Sequence, residues 1–130
     1  MPLRHLLIYT LGKQAEHTAA HRNAAQQHTN AASAHQQAQR AHLNAANQHG
    51  PTPTGQHHQN QANAHGNQAN FHGQQAQGHH QEASNPPSHN SITTANNSAQ
   101  NAHRSAGQAQ QSAQNAHGSA QAARNAGRRH

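Results

Sequence analysis

The chain has 130 residues, 29% of them hydrophobic and only 8% charged, with a formal net charge of +6 and 17 histidines. All but ten of the hydrophobic residues are alanine and no cysteine is present, which excludes a conventional aliphatic core, a disulfide framework and a thiolate metal site. Glu16 and Glu82 are the only carboxylates, so the inventory for acid–base or nucleophilic catalysis is missing and a non-enzymatic protein is expected.

Residues 1–13 hold most of the large apolar side chains: Leu3, Leu6, Leu7, Ile8, Tyr9 and Leu11. The order of residues is that of a signal peptide, but the apolar run is too short for one, and far short of the roughly 20 residues a membrane span needs. A short strand or helical turn with nothing to pack on is expected there.

From residue 14 the chain is a heptad repeat. Histidine recurs at His21, His28, His35, His42 and His49, then at His58, His65, His72 and His79, and in a third register at His89, His103 and His117. The approximate unit is His-x-(Asn/Gln/Ser)-Ala-x-x-Ala. Proline interrupts it within 50–55 and 86–88, because proline lacks the helical N–H and clashes with the preceding turn. Blocks at 14–49, 56–85 and 89–130 result.

In the first and third blocks alanines fall three and four apart, as in Ala31/Ala34, Ala38/Ala41, Ala99/Ala102 and Ala106/Ala109. These are coiled-coil a and d spacings. They predict an alanine seam for weak homo-oligomeric association, with His21, His28, His35, His42, His103 and His117 beside it at e. Protonating them should then weaken association in acid. The second block, with Gly66, Gly73 and Gly78 inside it, should be the least ordered, since each glycine costs about 1 kcal/mol in a helix relative to alanine.

The run Ala-Ala-His-Arg-Asn-Ala-Ala-Gln-Gln-His at 19–28 resembles small bacterial proteins rich in histidine and alanine at helical spacing. The seam looks like the alanine zipper of the murein lipoprotein family. The former carry Glu and Lys where this chain has Gln and Asn, the latter a lipidated cysteine that has no counterpart here, and neither resemblance carries a function.

Alanine methyls are worth at most about 0.8 kcal/mol each when buried, against about 1–2 kcal/mol per residue for ordering the backbone. On this sum the chain is mostly disordered, or all-α with up to three marginal heptad-repeat helices joined in coiled-coil fashion, without a globular core.

The other reading is a histidine-rich polypeptide that weakly and pH-dependently binds metal ions (opportunistic zinc, nickel or copper) or anions, since neutral imidazole is a common ligand and its protonated form a cation. Histidines seven apart on a helix are separated by about 10.5 Å, too far to share an ion. Only His17 and His21, at i and i+4, clamp one from a single helix. His57 with His58, and His79 with His80, form loop clusters that would chelate weakly. Serines such as Ser98, Ser105, Ser112 and Ser119 recur with the repeat and are not nucleophiles. Specific nucleic-acid binding is not expected, because Arg4, Lys13, Arg22, Arg40 and Arg104 are scattered. Only Arg124, Arg128 and Arg129 cluster, and Tyr9 and Phe71 are the only aromatic rings available for stacking. The codons for His, Gln and Asn read Val, Met, Leu or Ile on the complementary strand. A reading frame antisense to a hydrophobic protein is therefore a further alternative to a selected polypeptide.

Overall fold

Alanine has the highest helix propensity of any residue, and all five prolines lie at or beyond the ends of helical stretches. The computed structural model describes residues 2–128. It contains three helices: α1 (Pro2–His49), α2 (Pro53–Glu82) and α3 (Ser91–Arg128). Met1, Arg129 and His130 lie outside the described residues, so of the basic tail only Arg124 has a described side chain, and it is exposed.

The ends of the helices follow from local chemistry. Gly50 closes α1 with φ of 67°, the left-handed conformation open to glycine, and its N–H donates to the Ala46 carbonyl at 2.9 Å. The Thr52 side chain caps α2 by accepting from the Gly55 N–H at 3.0 Å, with Pro53 opening the helix where its missing donor costs nothing. Pro53 therefore starts a helix instead of extending the break, and α2 begins three residues before the heptad block at 56–85. Gly55 is needed because a Cβ there would run into the Gly50 carbonyl. Just past the end of α2, side chains of α1 bond carbonyls of the cap and turn. Thr18 Oγ1 donates to Ala83 O at 2.9 Å and Gln14 Nε2 to Asn85 O at 3.2 Å. Asn90, at φ 66°, turns the chain into α3, a conformation asparagine tolerates better than most residues.

α1 packs along both other helices, whereas the α2 and α3 backbones scarcely approach each other. α1 and α3 run parallel, with alanine against alanine. Ala20 and Ala24 meet Ala95 and Ala99, Ala31, Ala34 and Ala38 meet Ala102, Ala106 and Ala109, and Ala41 and Ala45 meet Ala116 and Ala120. Side chains this small let two helices approach to the short end of the usual range of about 8–10 Å. The seam on which association between copies was expected is thus closed within one chain.

These contacts overturn the expectation of a mostly disordered chain without a core. The second block, expected to be the least ordered, forms α2, which is continuous for 30 residues and buries Ala62, Ala69 and Ala76. The sum over methyls failed because it left the histidines in water. His17, His21, His28, His35, His42, His58 and His72 are all at most 7% exposed, so imidazole rings take the place of large aliphatic side chains. Of the strand and the helical turn expected for the apolar N-terminal stretch, the helical form is the one present. It extends α1 with Leu3, Leu6, Leu7, Ile8, Tyr9 and Leu11 at least 60% exposed. No helix among the described residues is long and apolar enough to cross a membrane.

Candidate functional site: a histidine–serine ladder

α2 runs antiparallel to α1, so each heptad step up α1 is a heptad step down α2, and histidines meet in pairs. The Nδ1 atoms of His21 and His79, His28 and His72, His35 and His65, and His42 and His58 lie 2.9 Å apart in every pair. The heptad serines of α3 complete the arrangement by standing between successive pairs. Ser98 Oγ lies 2.7 Å from His28 Nε2 and 2.8 Å from His79 Nε2. Ser105 bridges His35 and His72, Ser112 bridges His42 and His65, and Ser119 bridges His49 and His58, all at 2.8 Å.

The links join end to end into a single path. It runs His21, His79, Ser98, His28, His72, Ser105, His35, His65, Ser112, His42, His58, Ser119, His49. From His21 to His49 the path rises about 42 Å along α1 at 1.5 Å per residue. Ring stacking fills the spaces between rungs. His28 with His79, His35 with His72, His42 with His65 and His49 with His58 have centroids 5.3–5.5 Å apart and planes within 18°.

Proton counting limits the states of this path. A neutral imidazole carries one N–H and one bare nitrogen, and a serine hydroxyl donates once while also accepting. Every link receives one proton only if all groups point the same way. In one sense the α1 histidines carry the proton on Nδ1 and the α2 histidines on Nε2. In the other sense the assignments exchange. An imidazolium donates from both nitrogens, so one can be placed only by running the links outward on both sides of it, and a second forces two protons into one link. The intact ladder therefore admits at most one charged ring.

The surroundings favour neutrality. Burial first, then the facing imidazoles His72 and His79, lowers the pKa of His28 from 6.5 to about 4. Burial, then His65 and His72, does the same to His35. For His42 the value is again about 4, from burial and then His65, His58 and His57. His58, His65, His72 and His79 are also lowered, chiefly by burial.

The ladder ends at a different cluster. Ser91 occupies the rung that would serve His21, but its Oγ lies 2.8 Å from His17 Nδ1 instead. His17 Nε2 lies 2.8 Å from the Glu82 carbonyl, which can only accept, so His17 carries its proton on Nε2. His21 Nε2 is left buried with no hydrogen-bond partner. Burial, then His17 and His79, lowers the pKa of His21, while Glu82 opposes the shift. Ligand atoms of His17, His21 and Glu82 lie within 4.8 Å of one another.

Several sequence expectations are corrected here. His21, His28, His35 and His42 are buried between α1 and α2 and do not flank the alanine seam at its edge, while His103 and His117 are exposed. His57, His58, His79 and His80 lie on α2, not in loops. His58 and His79 turn into the ladder, whereas their neighbours His57 and His80 are exposed. The pair His17 and His21 is brought together, with ring centroids 4.5 Å apart. Sequence reading missed two contributors: the α3 serines and Glu82. The serines were visible as a strict heptad, but their partners lie on other helices. Glu82 approaches His17 and His21 only because the chain reverses after α1.

No protein-family model, no curated protein and no solved structure matches the chain.

Proposed function

We propose that the protein is a non-enzymatic helical rod whose cohesion is controlled by acid through the histidine–serine ladder. The observation that carries this reading is the unbroken run of hydrogen bonds from His21 to His49 across all three helices. Above the ordinary histidine pKa of 6.5 each ring is neutral and the links close. In acid the rings gain more protons than the single one the ladder can place, and unfolding, which exposes them to water, becomes favourable.

The groups facing the central rings offer no counter-charge. From α2 they are His58, His65, His72 and His79, with His57 behind, and from α3 only the hydroxyls of Ser98, Ser105 and Ser112. Glu82 bears on His21 and His79 alone at one end. Three blocks whose serines and histidines are complementary in register also favour a selected polypeptide over an antisense frame, because a repeat in DNA alone does not require matching partners on different helices.

Small-angle X-ray scattering, with far-ultraviolet circular dichroism, tests this. At pH 7.5 a helical rod about 70 Å long is expected, from the 48 residues of α1. At pH 4 an expanded chain with much reduced helicity is expected. The same rod at both values would overturn the reading.

A further inference from the structure

We propose that His17, His21 and Glu82 bind one divalent ion of the zinc class, and that its binding sets the direction of every hydrogen bond in the ladder. The inference rests on the ladder described above.

The donor set is two imidazoles and a carboxylate, which suits zinc, copper or nickel better than magnesium or calcium. A buried polar atom without a partner is rare in folded proteins, and His21 Nε2 is such an atom on a side chain 3% exposed. It is the nitrogen His21 has left to offer an ion, since its Nδ1 is engaged with His79. Glu82 contributes a carboxylate that accepts from Asn85 Nδ2 at 3.0 Å through one oxygen. His17 has both nitrogens engaged and gives up one of those bonds to ligate. Three protein ligands leave a fourth position for water.

The consequence for the ladder follows from proton counting. An ion on His21 Nε2 removes any proton there, so the proton of His21 resides on Nδ1 and is donated to His79 Nδ1. His79 then holds its proton on Nε2 and donates to Ser98, Ser98 donates to His28 Nε2, and the sequence repeats to His49. A ligand at one end thus places all α1 ladder histidines in the Nδ1–H form and all α2 ladder histidines in the Nε2–H form. Without the ion, the Glu82 carboxylate favours a proton on His21 Nε2, which is the opposite sense. The reversal breaks one N–H or O–H bond and forms another at every link. His21 gives its Nε2 proton to solvent, each link proton moves one group toward His21, and His49 takes a proton from solvent on Nδ1, so the number of protons on the ladder is unchanged.

The test uses the full chain with 15N-labelled histidine at pH 7.5, titrated with zinc and followed by calorimetry and ring-nitrogen NMR. One equivalent is expected to bind more tightly than the weak background of exposed histidines. Glu82→Gln should weaken it by more than the roughly 10–100-fold typical of losing a merely supporting contact. At saturation His28, His35, His42 and His49 should all be Nδ1–H, a form they do not uniformly hold without zinc. In Ser105→Ala the order should persist at His28 and be lost at His35, His42 and His49.

Graded binding that Glu82→Gln leaves unchanged would overturn the site. Tight binding with mixed tautomers beyond His21, or a ladder already ordered in this sense without zinc, would overturn the relay. Couplings across the Nδ1···Nδ1 links, recorded without metal, report the ladder independently, so its failure is distinguishable from failure of the inference.

Discussion

Lowering the pH from 7.5 to 5.0 should remove most of the stability of this protein, and the size of the loss can be worked from three residues. His28, His35 and His42 have folded pKa values of about 4 against 6.5 when unfolded. The folded state therefore binds fewer protons, and stability is complete above 6.5 and declines as pH falls toward 4. At pH 5 the unfolded rings are almost fully protonated and the folded ones scarcely so, a difference of about 2 kcal/mol each. Together they amount to on the order of 6 kcal/mol, comparable to the whole stability of a typical domain, about 5–15 kcal/mol. With a urea dependence of about 2 kcal/mol per molar, the midpoint in urea denaturation should fall by about 3 M. Added salt should restore little, because burial is the leading cause of each shift and screening acts only on the smaller contribution from neighbouring imidazoles. A midpoint that moves by less than about 0.5 M, or one that half a molar salt restores in full, would refute the reasoning.

Other substitutions probe other parts of the structure. Ser105→Ala leaves the Nε2 atoms of both His35 and His72 without a partner, which should cost about 2–5 kcal/mol, whereas Ser33→Ala at an exposed position should change urea stability by less than about 0.5 kcal/mol. Ala102→Leu forces a large side chain into the closed α1–α3 seam and should cost at least about 1–3 kcal/mol, while Leu43→Ala, at 36% exposure, should be nearly neutral. Gly118→Ala, with open space around the added methyl, should raise stability by about 1 kcal/mol, and Gly55→Ala should lower it because the Gly50 carbonyl stands in the way. Thermal denaturation ranks both glycine variants.

Much of the helical frame was legible in the repeat. Alanines three and four apart marked the surfaces that α1 and α3 press together, and Gly50, Pro51, Pro86 and Pro87 stand where the chain leaves its helices. What a period of seven does not reveal is which neighbour a face meets. It shows that His28, His35 and His42 share a side of α1, but not that α2 returns antiparallel with His72, His65 and His58 opposite them. The expected disorder came from treating imidazole as a solvated group. Once Ser98, Ser105 and Ser112 accept and donate between the rings, burial no longer strands polar atoms, and the rings become core. The candidate ion site was half visible, as His17 and His21 one turn apart. Glu82 is 61 residues beyond His21 in the chain and reaches it only through the reversal between α1 and α2.

The central claim is that four pairs of histidines share a proton between their Nδ1 atoms, and 15N–15N coupling across the hydrogen bond reads that sharing directly. In fully 15N-labelled protein at pH 7.5, couplings should join His21 to His79, His28 to His72, His35 to His65 and His42 to His58. These should vanish together as acid unfolds the bundle. Absence of all four couplings in a helical protein, with the same histidines titrating near 6.5, would contradict the ladder.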